Sequence, residues 1–172
     1  MMRKLMLAGL MAIATTAAGQ QLDLKVLDKL AVKAKSTTEM GMDETSLKAA
    51  TSILDEKKPA EGAARKVTEG VKGFFLRSYE FKKEDTPKFE DLKPLMDQLK
   101  APSWSRFLLN VEGDEHTEIW WHLANGQIDG MLLISLEGGE LTVMNGIGVS
   151  NLENLVKLSD LGLSQGSSRG EK

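Results

Sequence analysis

The chain predicts an α+β fold: a largely antiparallel sheet of about five to six strands, with helices packed on one face. Three observations carry this. Apolar residues recur at helical spacing early in the chain, at Leu24, Leu27, Leu30, Ala31 and Ala34. From Trp104 onward the pattern becomes alternating and rich in aromatic and β-branched residues, as strands are. The joins in that second half are hairpin material, Gly113-Asp114, Asn125-Gly126 and Gly138-Gly139.

Met1 to Gly19 (MMRKLMLAGLMAIATTAAG) has Arg3 and Lys4 ahead of an apolar run from Leu5 to Ala14, then small residues ending Ala17-Ala18-Gly19. That is the layout of a secretory signal, with cleavage expected after Gly19 and Ala18 as the next choice. A retained anchor is the competing reading, but the apolar run falls well short of the roughly twenty residues that span a bilayer. The expected organisation is a signal peptide (1–19), a single α+β domain (20–162) and a disordered Ser/Gly/charged tail (163–172).

Removing the signal takes two basic residues and no acidic one, so 22 Lys+Arg become 20 against 25 Asp+Glu, a formal charge of −5. A mildly acidic chain without basic runs is a poor nucleic-acid binder. With no cysteine, disulfides, a lipid-modified N-terminal Cys, thiolate metal sites and cysteine catalysis are excluded. An exported chain of this kind holds together by packing alone.

The first apolar stripe predicts an amphipathic helix over 23–35, with Lys29, Lys33 and Lys35 on its solvated side. Thr37 to Met42 alternates weakly and reads as a short strand. Asp43 or Thr45 caps a second helix to about Leu54, and Pro59 opens a third from Ala60 to about Glu69. Phe74 to Phe81 (FFLRSYEF) is a strand by composition. Phe89, Leu92, Leu95, Met96 and Leu99 form another helical stripe, in which Pro94 demands a late start or a kink. Four strands follow, 104–112, 116–124, 127–136 and 140–148. Ser150 and Glu153 make a capping box for a last helix to about Leu158.

Three segments, KGFFLRSYEF (72–81), LKAPSWSRFL (99–108) and ELTVMNGIGVSNLENLVKL (140–158), resemble the exported bacterial proteins of domain-of-unknown-function family 4252. The resemblance covers roughly residues 22 to 160. It implies an α+β domain behind a signal peptide, and it implies no activity and no catalytic motif.

Both histidines lie in EHTEIWWHL (115–123). On a strand His116, Glu118, Trp120 and His122 share one face, and Thr117, Ile119, Trp121 and Leu123 the other. At about 3.3 Å per residue the histidines stand roughly 20 Å apart, too far to share one metal ion. The sequence therefore predicts solvent-facing strand residues rather than a metal or catalytic site. Ser103 and Ser105 lack a nucleophile elbow. The carboxylate pairs Glu84/Asp85, Glu90/Asp91 and Asp114/Glu115 sit in polar connections that would not shift their pKa values. Gly146-Ile147-Gly148 lacks the third glycine of a dinucleotide-binding turn, since residue 151 is Asn. No catalytic residue, cofactor or metal is expected.

What remains is a surface. If Phe107, Leu109, Ile119, Trp121, Leu123, Ile128, Leu132, Ile134 and Leu136 face the core, the opposite face carries Arg106, Leu108, Trp120, His122, Met131 and Leu133. Tyr79 and Arg77 join it if strand 74–81 turns that way. Such a face is more apolar than solvation requires, and is the candidate interaction face. Coverage by an N-terminal helix or burial in a homodimer would explain it equally well. The leading expectation is an exported, non-catalytic envelope domain binding another envelope protein or itself, with no nucleic acid and no stable membrane insertion. The alternative is a periplasmic carrier of a small apolar ligand, with the nine methionines lining a pocket or simply filling the core.

Overall fold

The structure, a computed structural model, describes residues 21–149 apart from Glu56, together with Glu153. Six strands form one open antiparallel sheet: β1 Ser36–Asp43, β2 Gly73–Glu80, β3 Trp104–Glu112, β4 Glu115–Ala124, β5 Gln127–Glu137 and β6 Glu140–Ile147, in the order β1-β2-β6-β5-β4-β3. The helices are α1 Asp28–Ala31, α2 Glu44–Ser52, α3 Pro59–Thr68 and α4 Lys93–Gln98. This is the expected α+β class, and no helix among the described residues is long and apolar enough to cross a membrane. The expected signal segment (1–19), tail (163–172) and last helix lie outside the described residues, except that Glu153 is helical.

Local chemistry accounts for the elements. Asn125 and Gly126 both adopt positive φ (52° and 74°), as a tight hairpin turn between β4 and β5 requires. The Asp43 carboxylate accepts the Ser46 N–H at 2.7 Å and so caps α2. Pro59 occupies the first turn of α3, where its missing N–H costs nothing. A 3-10 turn, Phe89–Leu92, precedes α4, which starts late because Pro94 fits only at a helix's beginning.

The N-terminal helix is shorter than the apolar spacing predicts. Asp23 caps a 3-10 turn at Leu24–Leu27, and α1 adds only four residues. Lys33 and Ala34 donate to Leu30 and Ala31 in tight turns, and Lys35 then donates to the Glu80 carbonyl, drawing the chain into β1. Propensity yields here to a strand partner.

One sheet face carries the larger core. Leu22, Leu24 and Leu27 of the N-terminal segment, and Leu92, Leu95 and Leu99 around α4, pack on Tyr79, Leu132, Ile134, Leu136, Leu141 and Val143. Each such leucine contributes about 1.5–3 kcal/mol by leaving water. The opposite face is not bare. Leu47 of α2, with Val71 and Val149, packs against Phe74, Leu76, Met131 and Met144. Met131 and Met144 are thus ordinary core residues.

The β6 exit depends on one glycine. Gly148 has φ +75°, and a Cβ there would lie 2.4 Å from the Gly70 carbonyl oxygen. Only glycine lets the chain pass that close.

Candidate functional site

Alternation on β4 holds as expected: His116, Glu118, Trp120 and His122 share a face. That face is not open to solvent. The register sets Glu118 opposite Ile134 and Trp120 opposite Leu132, on the side covered by α4 and the N-terminal segment. The expectation of solvent-facing side chains is corrected, because the layer from Phe89 to Leu99 folds over them.

Beneath that layer lies a polar network. Glu118 is 2% exposed. Its Oε1 accepts from His116 Nε2 at 3.0 Å and from Arg106 at 3.3 Å, and its Oε2 accepts from Trp120 Nε1 at 2.6 Å. Phe89 stacks on the His116 ring with centroids 3.4 Å apart, and the Arg106 guanidinium sits 5.7 Å from the Trp120 ring centroid. A buried carboxylate is tolerable only when paired and hydrogen-bonded in this way.

His122, also buried, belongs to a separate pair. Its Nδ1 lies 2.6 Å from Asp129 Oδ1, and Trp104 meets its ring edge-on. The register slips between His122 and Leu123, leaving Asp129 as an extra residue in β5. This bulge aims the aspartate at the histidine. Among the described residues no hydrogen bond joins either imidazole to a hydroxyl, and no group of three or more His, Asp or Glu is placed to hold a metal. What the network does chemically is hold a strand in one register with satisfied buried polar groups.

The six residues of the candidate face are not brought together. Arg106, Trp120 and His122 lie on the main core side, whereas Leu108, Met131 and Leu133 lie on the other, opposite or beside Ile119, Trp121 and Met144. Trp120, Met131 and Leu133 contribute to the two cores. The expected core set divides as well. Leu132, Ile134 and Leu136 build the main core, and Trp121 and Ile128 pack on the second. Phe107, Leu109 and Leu123 are exposed. Arg77 and Tyr79 lie on the main core face; Arg77 is paired with Asp28 and Glu39 and donates to the Tyr79 hydroxyl.

Two bulges explain the difference. Phe107 is an extra residue in β3, between Arg106 opposite Trp120 and Leu108 opposite Ile119. Its ring stacks on Trp121, with centroids 4.1 Å apart. Asp129 is the other, and nothing in the sequence marks either one.

The exposed apolar residues instead gather on β3, an edge strand: Phe107, Leu108, Leu109 and Val111, with Leu123 of β4 nearby. Two surface clefts flank the sheet, one of them reaching the Val111–Glu112 end of β3. One of about 940 Å³ is lined by His116, Lys83, Lys88, Glu90, Glu112 and Glu137 among others, a mixed-charge surface. Another, of about 650 Å³, runs along the N-terminal segment past Leu22, Leu24, Phe75 and Leu76, with Asp23, Lys25, Glu39 and Arg77 also in its wall.

Comparison with curated proteins finds no match. Residues 31–158 match the family model described as a domain of unknown function, DUF4252. That span holds all six strands, the Glu118 network and the β3 edge, and the chain belongs to this family.

Proposed function

We propose that this protein is an exported, non-catalytic protein-interaction module of the bacterial cell envelope, and that its sheet makes the contact through the β3 edge. The observation that carries the reading is the run of exposed apolar side chains on an outer strand, where an extended partner can add to the sheet. The signal-like residues 1–19 support export. Half-buried His116 and buried His122 are each engaged with a carboxylate, which leaves the edge as the surface best suited to recognition.

A photo-crosslinking residue at Phe107 or Leu109, introduced in the native host, should give protein adducts. The same probe at Val32, which is exposed outside the sheet, should give none. Equal yields at Val32, or no adduct at β3, would defeat the proposal. The 650 Å³ cleft favours a second reading, a carrier of a small apolar ligand. It requires that a fatty acid or phospholipid raise the melting temperature, as any ligand of the native state does.

A further inference from the structure

We propose that the thinly covered part of the second sheet face, over β5 and β4, is the docking site of the chain's own residues 151–158, which seat Leu152, Leu155 and Val156 against Ile128, Leu133 and Trp121.

That face is dressed mainly at one side. α2 stands beside β1, and its Leu47, with Val71 and Val149, packs on Phe74, Leu76, Met131 and Met144. Farther across the sheet the packing thins. Ile128 and Leu133 of β5 and Trp121 of β4 lie against the same cluster yet are only half-buried. Phe107 stacks on the Trp121 ring, but the enclosed indole N–H has no acceptor among the described residues. Buried donors are nearly always satisfied. Among the described residues this part of the face therefore lacks apolar cover and one hydrogen-bond acceptor.

The backbone delivers the chain to that spot. At the end of β6 the Gly148 N–H donates to the Asp129 carbonyl at 2.6 Å, which holds the exit against β5 next to Ile128. Val149, 1% exposed, then enters the second cluster, so the residues after it start on this face of the sheet. Trp121 is one strand farther on, since β4 is the next neighbour of β5.

The sequence that follows has the matching pattern. Leu152, Leu155 and Val156 stand at i, i+3 and i+4, with Glu153, Asn154 and Lys157 on the other side, and Glu153 is helical. Asn151 and Asn154 bring side-chain amides that can accept from an indole N–H. Eight residues of helix extend about 12 Å, enough to lie across β5 and β4 at a strand spacing of about 4.8 Å. The family match runs to residue 158, so the family's domain includes this stretch. Tethering selects the occupant: a segment joined at Val149 acts at an effective concentration on the order of mM, which a second copy or a foreign chain must exceed. The β3 edge stays open in this arrangement, so the inference is independent of the role proposed for that edge.

A photo-crosslinking residue at Leu155, in the full chain, should link within the molecule to peptides carrying Trp121, Ile128 or Leu133, and the same residue at Lys157 should not. Urea melts give a second readout. Leu155→Asp should lower the unfolding midpoint several-fold more than Lys157→Asp, and Leu155→Ala should be non-additive with Trp121→Ala. A Leu155 probe that links only to another molecule, or that gives no link to β4 or β5, overturns the proposal. So does a Leu155→Asp chain that melts with the Lys157→Asp chain, or strict additivity of the two alanine variants. Should Leu155→Asp fail to fold, the crosslink at Leu155 decides.

Discussion

Replacing Glu118 with glutamine tests whether the buried network holds β4 in place. The carboxylate receives three N–H donors, two on Oε1 and one on Oε2. Glutamine keeps the shape but offers one oxygen and one NH2 group. If the amide oxygen faces Arg106 and His116, the NH2 points at Trp120 Nε1–H, donor against donor. If it is flipped, two contacts are lost instead. A hydrogen bond to a charged group is worth about 1.5–3 kcal/mol, and an orphaned buried donor adds its desolvation, so the loss should be about 2–4 kcal/mol. Glu118→Ala also leaves a cavity and should reach about 3–5 kcal/mol. With a urea m-value of about 2 kcal/mol per M, a loss of about 3 kcal/mol moves the unfolding midpoint by about 1.5 M. Urea melts followed by tryptophan fluorescence would measure it. A Glu118→Gln stability within about 0.5 kcal/mol of the parent, a midpoint shift of only about 0.25 M as for a surface change, would refute the reasoning.

Further outcomes follow from other sites. The sequence makes Trp121 the core residue of the adjacent tryptophan pair, yet the structure packs both: Trp120 against the main core with its N–H bonded to Glu118, and Trp121 against the second core with no acceptor for Nε1 among the described residues. Urea melts of the two alanine variants should show Trp120→Ala losing at least as much stability as Trp121→Ala, each of the order of 3–5 kcal/mol. A much smaller loss at Trp120 would contradict the register. Gly148→Ala should be severely destabilising by thermal melt, because a Cβ would run into the Gly70 carbonyl; a parent-like melting temperature would show that this turn yields freely. Burial pushes the Tyr79 hydroxyl above its ordinary pKa, with Arg77 opposing. The native state therefore keeps its proton longer than the unfolded chain, and this stabilisation, full below pH about 10, should drain away as pH rises past it. Tyr79→Phe should flatten that alkaline decline in pH-dependent urea melts. Export predicts a mature N-terminus at Gln20 or Gly19 by mass spectrometry of the periplasmic fraction, and a chain still starting at Met1 would contradict it.

The residues alone were enough for the strands and the Asn125-Gly126 hairpin, and they narrowed the α2 cap to Asp43 or Thr45 and the effect of Pro94 to a late start or a kink, because each follows from chemistry within a few positions. They were also enough to separate His116, Glu118, Trp120 and His122 from their neighbours, since alternation is a property of any strand. They could not say which face of β4 met which face of β5. Met131 to Leu136 (MLLISL) is apolar on both sides, so its pattern carries no register signal, and a one-residue slip exchanges the faces. The bulges at Phe107 and Asp129 supply such slips. Coverage, too, was decided only in three dimensions. The stripe from Phe89 to Leu99 is visibly apolar, but only folding places it over Glu118, turning a charged strand residue into a buried, triply bonded carboxylate. The exposed row on β3 has the same origin: its side chains are as apolar as those of β5, and only the position at the edge leaves them in water.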